Sequence, residues 1–351
     1  MKTARSETTT AWFGALCFFL STVEYMIPKP LPFLRLGLAN LPLMLSIEAL
    51  PFPFWCVLIL IKILGQGLIG GPLFSYVFLF SAAGTITSAF VMYTLKKGLR
   101  GRISWIGISV AGAFASNAAQ LSLARFYIFG ESAWYIAPPF IAVGIASGTL
   151  LGIFANGFSR KSVWYAKVLD GTIQYPEMPV ASASTNVFQA GLAVNPVFRF
   201  GLGAVLILTL CFASHLAVQL LVTALALILL LADRSRIRLL PAILMATSII
   251  LFNLCTPFGR VLARPFNLPL TDGALFLGIK KVLTMEGMIF ISRWILKPGF
   301  RLPGKTGGLV SQAFRILGYL TDSRRKLDPK NLTASIDSIM FGHDQAHPRL
   351  P

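Results

Sequence analysis

The chain has 351 residues, of which 55% are hydrophobic and only 13% are charged, and its net charge is +18. This composition excludes an ordinary soluble domain and predicts an all-α integral membrane protein. The basic residues cluster between apolar runs, so the charge excess indicates the positive-inside rule and excludes a nucleic-acid partner.

Six apolar runs occupy the first half of the chain. They cover residues 11–27, 36–50, 52–69, 72–95, 103–126 and 135–158. A helix needs roughly 20 residues to cross a bilayer, and each run is at or near that length. Residues 1–160 are therefore predicted to form a six-helix membrane bundle.

A less hydrophobic stretch, residues 161–194, is predicted to be a cytoplasmic linker. Further apolar runs at 200–213, 216–232, 239–255 and 272–296 predict a smaller four-helix membrane domain over residues 195–296. The two domains together give about ten transmembrane helices. The last run could instead lie at the membrane interface, because Lys280, Lys281, Glu286 and Arg293 lie within it.

The remaining residues, 297–351, form a basic tail. Apolar residues recur at helical spacing from Leu309 to Leu320, which predicts an amphipathic helix on the cytoplasmic membrane surface. Basic residues concentrate in alternate loops, so both termini are expected in the cytoplasm of a multi-pass inner-membrane protein. An aromatic belt is predicted at the span ends, formed by Trp12, Trp55, Trp105, Trp134 and Trp294.

Residues 103–126 combine a packing surface with a polar surface. At about 100° per residue, Gly107, Ala111 and Ala115 fall on one stripe, where small residues let a second helix approach closely. Polar residues fall on roughly the opposite side, among them Ser109 and Ser116. The following span carries a second predicted packing surface, formed by Gly144, Gly148 and Gly152.

Polar side chains of three spans are predicted to lie at one depth in the outer half of the membrane. Such side chains are costly there unless they face a partner or water. They predict a hydrated pocket, open to the outside, with a cationic rim suited to an acidic or phosphorylated small-molecule substrate. The alternative is that they only bond neighbouring helices. The predicted substrate-binding residues are Arg35, Asn40, Lys62, Gln66, Asn117, Gln120 and Arg125.

Signatures of catalysis are absent from the sequence. No clustered carboxylates are available to hold magnesium for diphosphate chemistry, and the histidines and cysteines form no metal-binding spacing. Residues 299–306 fit the pattern of a phosphate-binding loop, but no strand precedes them and too few residues follow for a nucleotide-binding domain. The sequence therefore predicts that the protein is not an enzyme and holds no metal or cofactor.

Three stretches of the first half, residues 30–40, 65–92 and 104–125, carry a family pattern. It includes GPLFS at residues 71–75 and the pair Asn117 and Gln120. On these stretches, residues 28–158 resemble the heptaprenyl diphosphate synthase component I family, also called the Gx transporter family. That family often has histidine before the asparagine, where this chain has Ser116. The resemblance implies a six-helix fold like the substrate-binding component of energy-coupling-factor (ECF) vitamin transporters.

Residues 195–296 more loosely resemble the transmembrane coupling component of the same transporters, at Asn195, Pro196 and Arg199 and at residues 271–273. The two resemblances imply an ECF-type importer that binds a small anionic or amphiphilic metabolite, such as a vitamin or cofactor precursor, from the outer side. A separate ATPase subunit would hydrolyse ATP. One alternative is a non-catalytic accessory subunit of polyprenyl diphosphate or quinone synthesis, which would bind a soluble prenyltransferase. Another is a structural scaffold.

Overall fold

The computed structural model describes residues 2–26, 36–99, 102–175, 195–233, 239–264, 270–296, 304–323 and 331–341. A first group of six helices comprises α1 (Lys2–Met26), α2 (Asn40–Ala49), α3 (Phe52–Gly70), α4 (Tyr76–Gly98), α5 (Trp105–Ala124) and α6 (Ala133–Lys161). A π-helical turn (Arg125–Phe129) and a 3-10 turn (Gly130–Ser132) join α5 to α6. The short helix α7 (Val163–Asp170) follows α6.

A second group contains α8 (Pro196–Phe212), α9 (Leu216–Ala232), α10 (Leu239–Leu254) and α11 (Asp272–Ile295). Two short strands, β1 (Val261–Ala263) and β2 (Leu270–Thr271), pair in antiparallel orientation between α10 and α11. The chain continues with α12 (Gly304–Ser323) and α13 (Leu332–Phe341).

Several helix ends follow directly from the local sequence. Ser104, Ser162 and Asn195 are N-cap residues of α5, α7 and α8, and their side-chain oxygens accept hydrogen bonds from backbone N–H groups of the first turn. Gly71 ends α3 in the left-handed conformation, with a φ of +78°. A residue without a Cβ adopts this conformation without strain.

Three segments of the described residues are long and apolar enough to cross a membrane: Phe52–Ile69, Tyr76–Gly98 and Trp105–Lys161, the last of which contains both α5 and α6. The predicted all-α membrane fold is confirmed at this level. The apolar helices of the second group are shorter, at 16 or 17 residues. The predicted number of about ten spans therefore stays a prediction.

Helix α6 approaches α5 closely through its glycines. A Cβ at Gly152 would lie 2.5 Å from the Cα atom of Ile106, and a Cβ at Gly148 would lie 3.1 Å from the Cα atom of Val110. Because both obstacles are backbone atoms, a larger residue at either position would force the two helices apart.

The surface of α5 that faces these glycines differs from the predicted one. Ile106, Val110 and Ala113 lie opposite α6, at helical spacing. This surface contains larger side chains because the glycines of α6 supply the room for the approach. The predicted small residues lie to one side and are partly exposed: Gly107, Ala111 and Ala115.

The tryptophans do not form the predicted belt at the lipid surface. Trp12, Trp55, Trp105 and Trp294 are buried, whereas the side chain of Trp134 is 60% exposed. Buried tryptophan contributes a large apolar area to packing. Their positions near span ends were therefore a sign of helix packing in four of the five cases.

Residues 161–175 belong to the folded core, although the sequence predicted a linker from residue 161 onwards. The ring of Trp164 packs at 5.4 Å from that of Phe13 in α1. The hydroxyl of Tyr165 donates to the carbonyl oxygen of Leu45 in α2, at 2.9 Å. Helix α7 thus closes one end of the six-helix group. Residues 176–194 lie outside the described residues.

Helix α12 packs along α1 and α3 instead of lying apart on the membrane surface. The rings of Phe314 and Phe18 are 4.7 Å apart, and Tyr319 contacts Trp12 edge-on. The predicted amphipathic pattern is present, but protein rather than lipid covers its apolar face. The buried positions recur every three or four residues: Val310, Ala313, Ile316 and Leu320.

A buried ion pair holds α8, α9 and α11 together. The Arg199 guanidinium donates to both carboxylate oxygens of Asp233, at 2.8 and 3.0 Å, and to the carbonyl oxygen of Trp294, at 3.1 Å. The Arg199 and Asp233 side chains are 4% and 1% exposed. Breaking a buried charge pair by removing one partner is strongly destabilising, so the packing of α8, α9 and α11 depends on the pair remaining intact.

The end of α11 contacts the turn between α3 and α4. The Phe74 N–H donates to the hydroxyl of Ser292 at 3.0 Å, and a Cβ at Gly71 would lie 2.5 Å from Cγ of Arg293. The predicted alternation of spans places these residues on opposite sides of the membrane, whereas the structure places them in contact. The two groups are therefore not arranged relative to each other as the sequence predicted. The charge rule concerns loops and contains no information on contacts between helices.

Helix α13 is attached to the start of α7 through Asp337. One carboxylate oxygen accepts from the Ser162 hydroxyl, and the other accepts from the Val163 N–H at 2.7 Å. Burial raises the pKa of the Asp337 carboxyl above its ordinary value, and these hydrogen bonds partly counteract that rise.

We expect Asp337→Ala to destabilise the attachment of α13 by about 1–2 kcal/mol, because the Ser162 and Val163 donors lose their acceptor. The measurements are thermal unfolding and limited proteolysis of the full chain in detergent. Ser338→Ala is the matched control, since that hydroxyl bonds only the Ser335 carbonyl within the same helix. Equal protection of α13 in both variants would contradict the attachment.

Candidate functional site

Polar side chains from all six helices of the first group line one internal space, here named the polar cavity. Its volume is about 40 Å³, which is room for a few water molecules. Its polar lining residues are Glu24, Asn40, Lys62, Gln66, Ser81, Thr85, Ser88, Ser109, Ser116, Asn117, Gln120 and Ser147. The structure thus brings five of the seven predicted binding residues together.

Lys62 is the cation of this cavity. Its side chain comes from α3 and is only 1% exposed. The ammonium group donates to the amide oxygen of Asn40 and to the hydroxyl of Thr85, the latter at 3.4 Å. A buried ammonium is tolerated only where its donors are satisfied, so the surrounding polar groups are needed to keep it charged. Lys62 is also the one lysine or arginine among the described lining residues.

Glu24 brings a carboxylate to the same cavity. Its two oxygens accept hydrogen bonds from the backbone N–H groups of Leu36 and Leu38, at 2.8 and 3.1 Å. These bonds hold the segment that leads into α2 against the end of α1. The described lining of the cavity therefore contains both signs of charge.

Gln66 connects three helices across the cavity. Its amide nitrogen donates to the Ser21 hydroxyl of α1 at 3.0 Å, and its amide oxygen accepts from the Ser81 hydroxyl of α4 at 3.2 Å. Both amide atoms are engaged, so this side chain has a fixed orientation. A ligand would meet a pre-positioned group here.

The sequence left open whether Asn117 and Gln120 bond neighbouring helices or bind a ligand, and the structure gives the two residues different surroundings. Asn117 donates to the carbonyl oxygen of Phe140 at 2.8 Å and so bonds α5 to α6. Gln120 donates to the Ser116 hydroxyl at 2.8 Å. Its oxygen and the Ser88 hydroxyl are buried without a hydrogen-bond partner among the described residues. Buried polar atoms of this kind call for water or a ligand.

Of the two remaining predicted binding residues, Arg125 is not part of this arrangement. Arg125 pairs with Glu131 at 2.7 Å on the surface and lies over the Trp134 ring. It follows Gln120 by five residues, and at 100° per residue that turns it about 140° away from the cavity. Arg35 lies outside the described residues.

Sequence reasoning missed the contribution of α4. Ser81, Thr85 and Ser88 line the cavity and recur at positions i, i+4 and i+7 of an apolar helix. That spacing was a usable signal for a polar stripe. Gly84 lies within the stripe, and a Cβ there would be 2.3 Å from the Gln120 amide nitrogen. The small residue therefore makes room for the amide.

A second space, here named the apolar cavity, adjoins the polar one. It measures about 480 Å³ and is lined almost entirely by apolar side chains of α1, α2, α6, α7, α12 and α13. The two cavities share four lining residues: Leu36, Leu41, Ser147 and Leu151. A polar compartment beside an apolar one is suited to a molecule with a polar head and a hydrocarbon part.

Residues 13–158 match the model of the family described as heptaprenyl diphosphate synthase component I. This confirms the resemblance predicted for residues 28–158 and extends it to α1, which contributes Glu24 to the polar cavity. Residues 195–298 match the model of a domain of unknown function, which does not test their predicted likeness to a coupling component. No curated protein and no solved structure is significantly similar to the chain.

We expect Gly144→Ala to disturb the polar cavity, because the added Cβ would lie 2.0 Å from the amide nitrogen of Asn117. The amide must move away from the Phe140 carbonyl, at a cost of about 1–3 kcal/mol in the free energy of unfolding. Thermal unfolding in detergent measures the change.

Gly157→Ala is the matched control on the same helix, since no atom lies within 4 Å of its added Cβ. It should be neutral or stabilising by up to about 1 kcal/mol. Adding Asn117→Ala to Gly144→Ala should remove the clash, so the double variant should lose less than the sum of the two single changes. Simple additivity would show that Asn117 is not the obstacle.

Proposed function

From the family match and the cavity that lies within it, we propose that the chain is a membrane transport protein, an importer component of the ECF type. The polar cavity would bind a small anionic or amphiphilic metabolite. The observation that supports this most is the buried ammonium of Lys62 in the same lining as the oxygens of Gln120 and Ser88, which have no hydrogen-bond partner among the described residues. An ionisable group inside a membrane bundle is costly, and it commonly marks a substrate or ion path.

The proposed ligand would use these groups in distinct ways. Lys62 would pair with its negative charge, while Asn40 and Gln66 would fix its orientation through hydrogen bonds. Gln120 would accept from a donor of the ligand. Glu24 already accepts two backbone hydrogen bonds, so its carboxylate would position the start of α2.

The size of the polar cavity implies that binding includes a conformational change. Its volume of about 40 Å³ is far below the roughly 300–1,000 Å³ of a typical ligand site. Helices α1, α2 and α6 line both cavities, so their separation would join the two spaces. Transport would then alternate between this closed arrangement and an open one.

Transport of this kind needs an energy source that the chain would obtain from a partner. We propose a separate ATPase subunit on the cytoplasmic side of the inner membrane, with the present chain non-catalytic. Residues 195–296 are the candidate coupling domain, because their helices contact the turn that joins α3 to α4.

A second candidate function is a non-catalytic accessory subunit of polyprenyl diphosphate or quinone synthesis. The apolar cavity favours it, since a hydrocarbon chain could occupy that space while its charged head group reaches Lys62. The partner would then be a soluble prenyltransferase. Affinity purification of the full chain distinguishes the two, because the importer should retain an ATPase and the accessory subunit a prenyltransferase.

We expect Lys62→Met to remove the bound metabolite from the purified protein. A charge-assisted hydrogen bond contributes about 1.5–3 kcal/mol, so the retained amount should fall at least about tenfold. The measurement is mass spectrometry of small molecules released from protein purified from native membranes, with thermal unfolding as a check of folding.

Arg125→Gln is the matched control, since it removes a cation that lies away from the polar cavity. It should retain the same metabolite as the wild type. Equal loss in both variants would reject Lys62 as the anion-binding group. An absence of any anionic or amphiphilic molecule in the wild type would count against both candidate functions.

A further inference from the structure

A third space lies between the two helical groups, here named the lysine cavity. It measures about 180 Å³. The first group contributes Tyr76 and Tyr127, whose rings are 5.2 Å apart. The second group contributes Gln219 of α9 and both Lys280 and Lys281 of α11. None of these residues lines the polar cavity, so this is a separate site.

The two lysines bring positive charge that the described residues do not balance. Lys280 donates to the carbonyl oxygen of Ser214, and Lys281 donates to the amide oxygen of Asn253 at 2.8 Å. Both acceptors are neutral. No described carboxylate lies within 4 Å of either ammonium. Each ammonium has three donors, so both retain capacity for an anion.

Gln219 provides an independent indication of a ligand. Its side chain is 4% exposed, and its amide nitrogen donates to the Ala213 carbonyl at 3.1 Å. Its amide oxygen is buried and has no hydrogen-bond partner among the described residues. An acceptor left unpaired in this way is costly, so the occupant should offer a donor as well as negative charge.

We propose that the lysine cavity binds a phosphate group. Lys280 and Lys281 would hold its oxygens, since lysine is a common point-charge ligand of phosphate. A phosphomonoester has a second pKa of about 6, so part of it keeps a protonated oxygen near neutral pH that can donate to Gln219. A sulfate ion has no such proton. The phosphate belongs either to a soluble molecule or to a phospholipid head group. The phosphodiester of phosphatidylglycerol has no second proton, so a glycerol hydroxyl of that head group would donate to Gln219 instead.

A bound phosphate would connect the two helical groups. The lysines and Gln219 belong to the second group, whereas the tyrosines belong to the segment that matches the known family. The occupant would therefore bring a negative charge to two ammonium groups at the boundary between the helical groups. Occupancy should stabilise the full chain.

The test uses the full chain, freed of phospholipid in detergent. Inorganic phosphate should raise the melting temperature at constant ionic strength, whereas sulfate should not. In a second arm, native mass spectrometry after reconstitution into phosphatidylglycerol vesicles should show a retained phospholipid. A response to phosphate alone indicates a soluble ligand, and retention of lipid alone indicates a head group.

Lys280→Gln and Lys281→Gln should each reduce the response, and the double variant should abolish it. Lys281→Arg retains the positive charge, so its melting temperature should still rise with phosphate. This result would show that the glutamine variant loses its response through the lost charge and not through a folding defect. Lys97→Gln is the matched control, because Lys97 is exposed at the end of α4. The proposal is overturned if neither arm responds in the wild type, if sulfate raises the melting temperature as much as phosphate does, or if the double variant responds fully.

Discussion

The burial of a charged lysine in an apolar bundle is the constraint on which the first helical group depends. Lys62 has almost no contact with solvent, so its donors must be met by protein, water or ligand. Asn40 from α2 and Thr85 from α4 meet part of that need. The helices that carry these groups must therefore stay in register with α3. The same requirement explains why polar residues from all six helices converge at one place.

Close helix packing limits the space that this convergence leaves. Gly84 and Gly144 bring the backbones of α4 and α6 up to the amides of Gln120 and Asn117, and a Cβ at either glycine would collide with them. The result is a cavity sized for a few waters. Small residues thus have two effects here, since they permit the approach and they set the volume. A larger ligand would fit only if the helices moved apart. Whole helices can do so without breaking the backbone hydrogen bonds within each helix.

The sequence predicted the parts of the site that follow from the cost of polar groups in lipid. Asn40, Lys62, Gln66, Asn117 and Gln120 stand out because each interrupts an apolar run. Arg125 was predicted wrongly, although its helical spacing of five residues from Gln120 already turned it away from the other polar residues. Apolar spacing identified the amphipathic helix α12 but not the surface that covers it. Such contacts arise from tertiary packing, which local pattern does not contain.

Helix α4 connects the polar cavity to the lysine cavity. Tyr76 at its start lines the lysine cavity, and Thr85 lines the polar cavity nine residues later, about 13.5 Å along the helix axis. Because a helix moves nearly as a rigid body, a displacement of α4 would alter both linings at once. If the two occupants favour different positions of α4, each must change the affinity of the other by the same factor. The second helical group would then sense the state of the polar cavity without contacting its ligand.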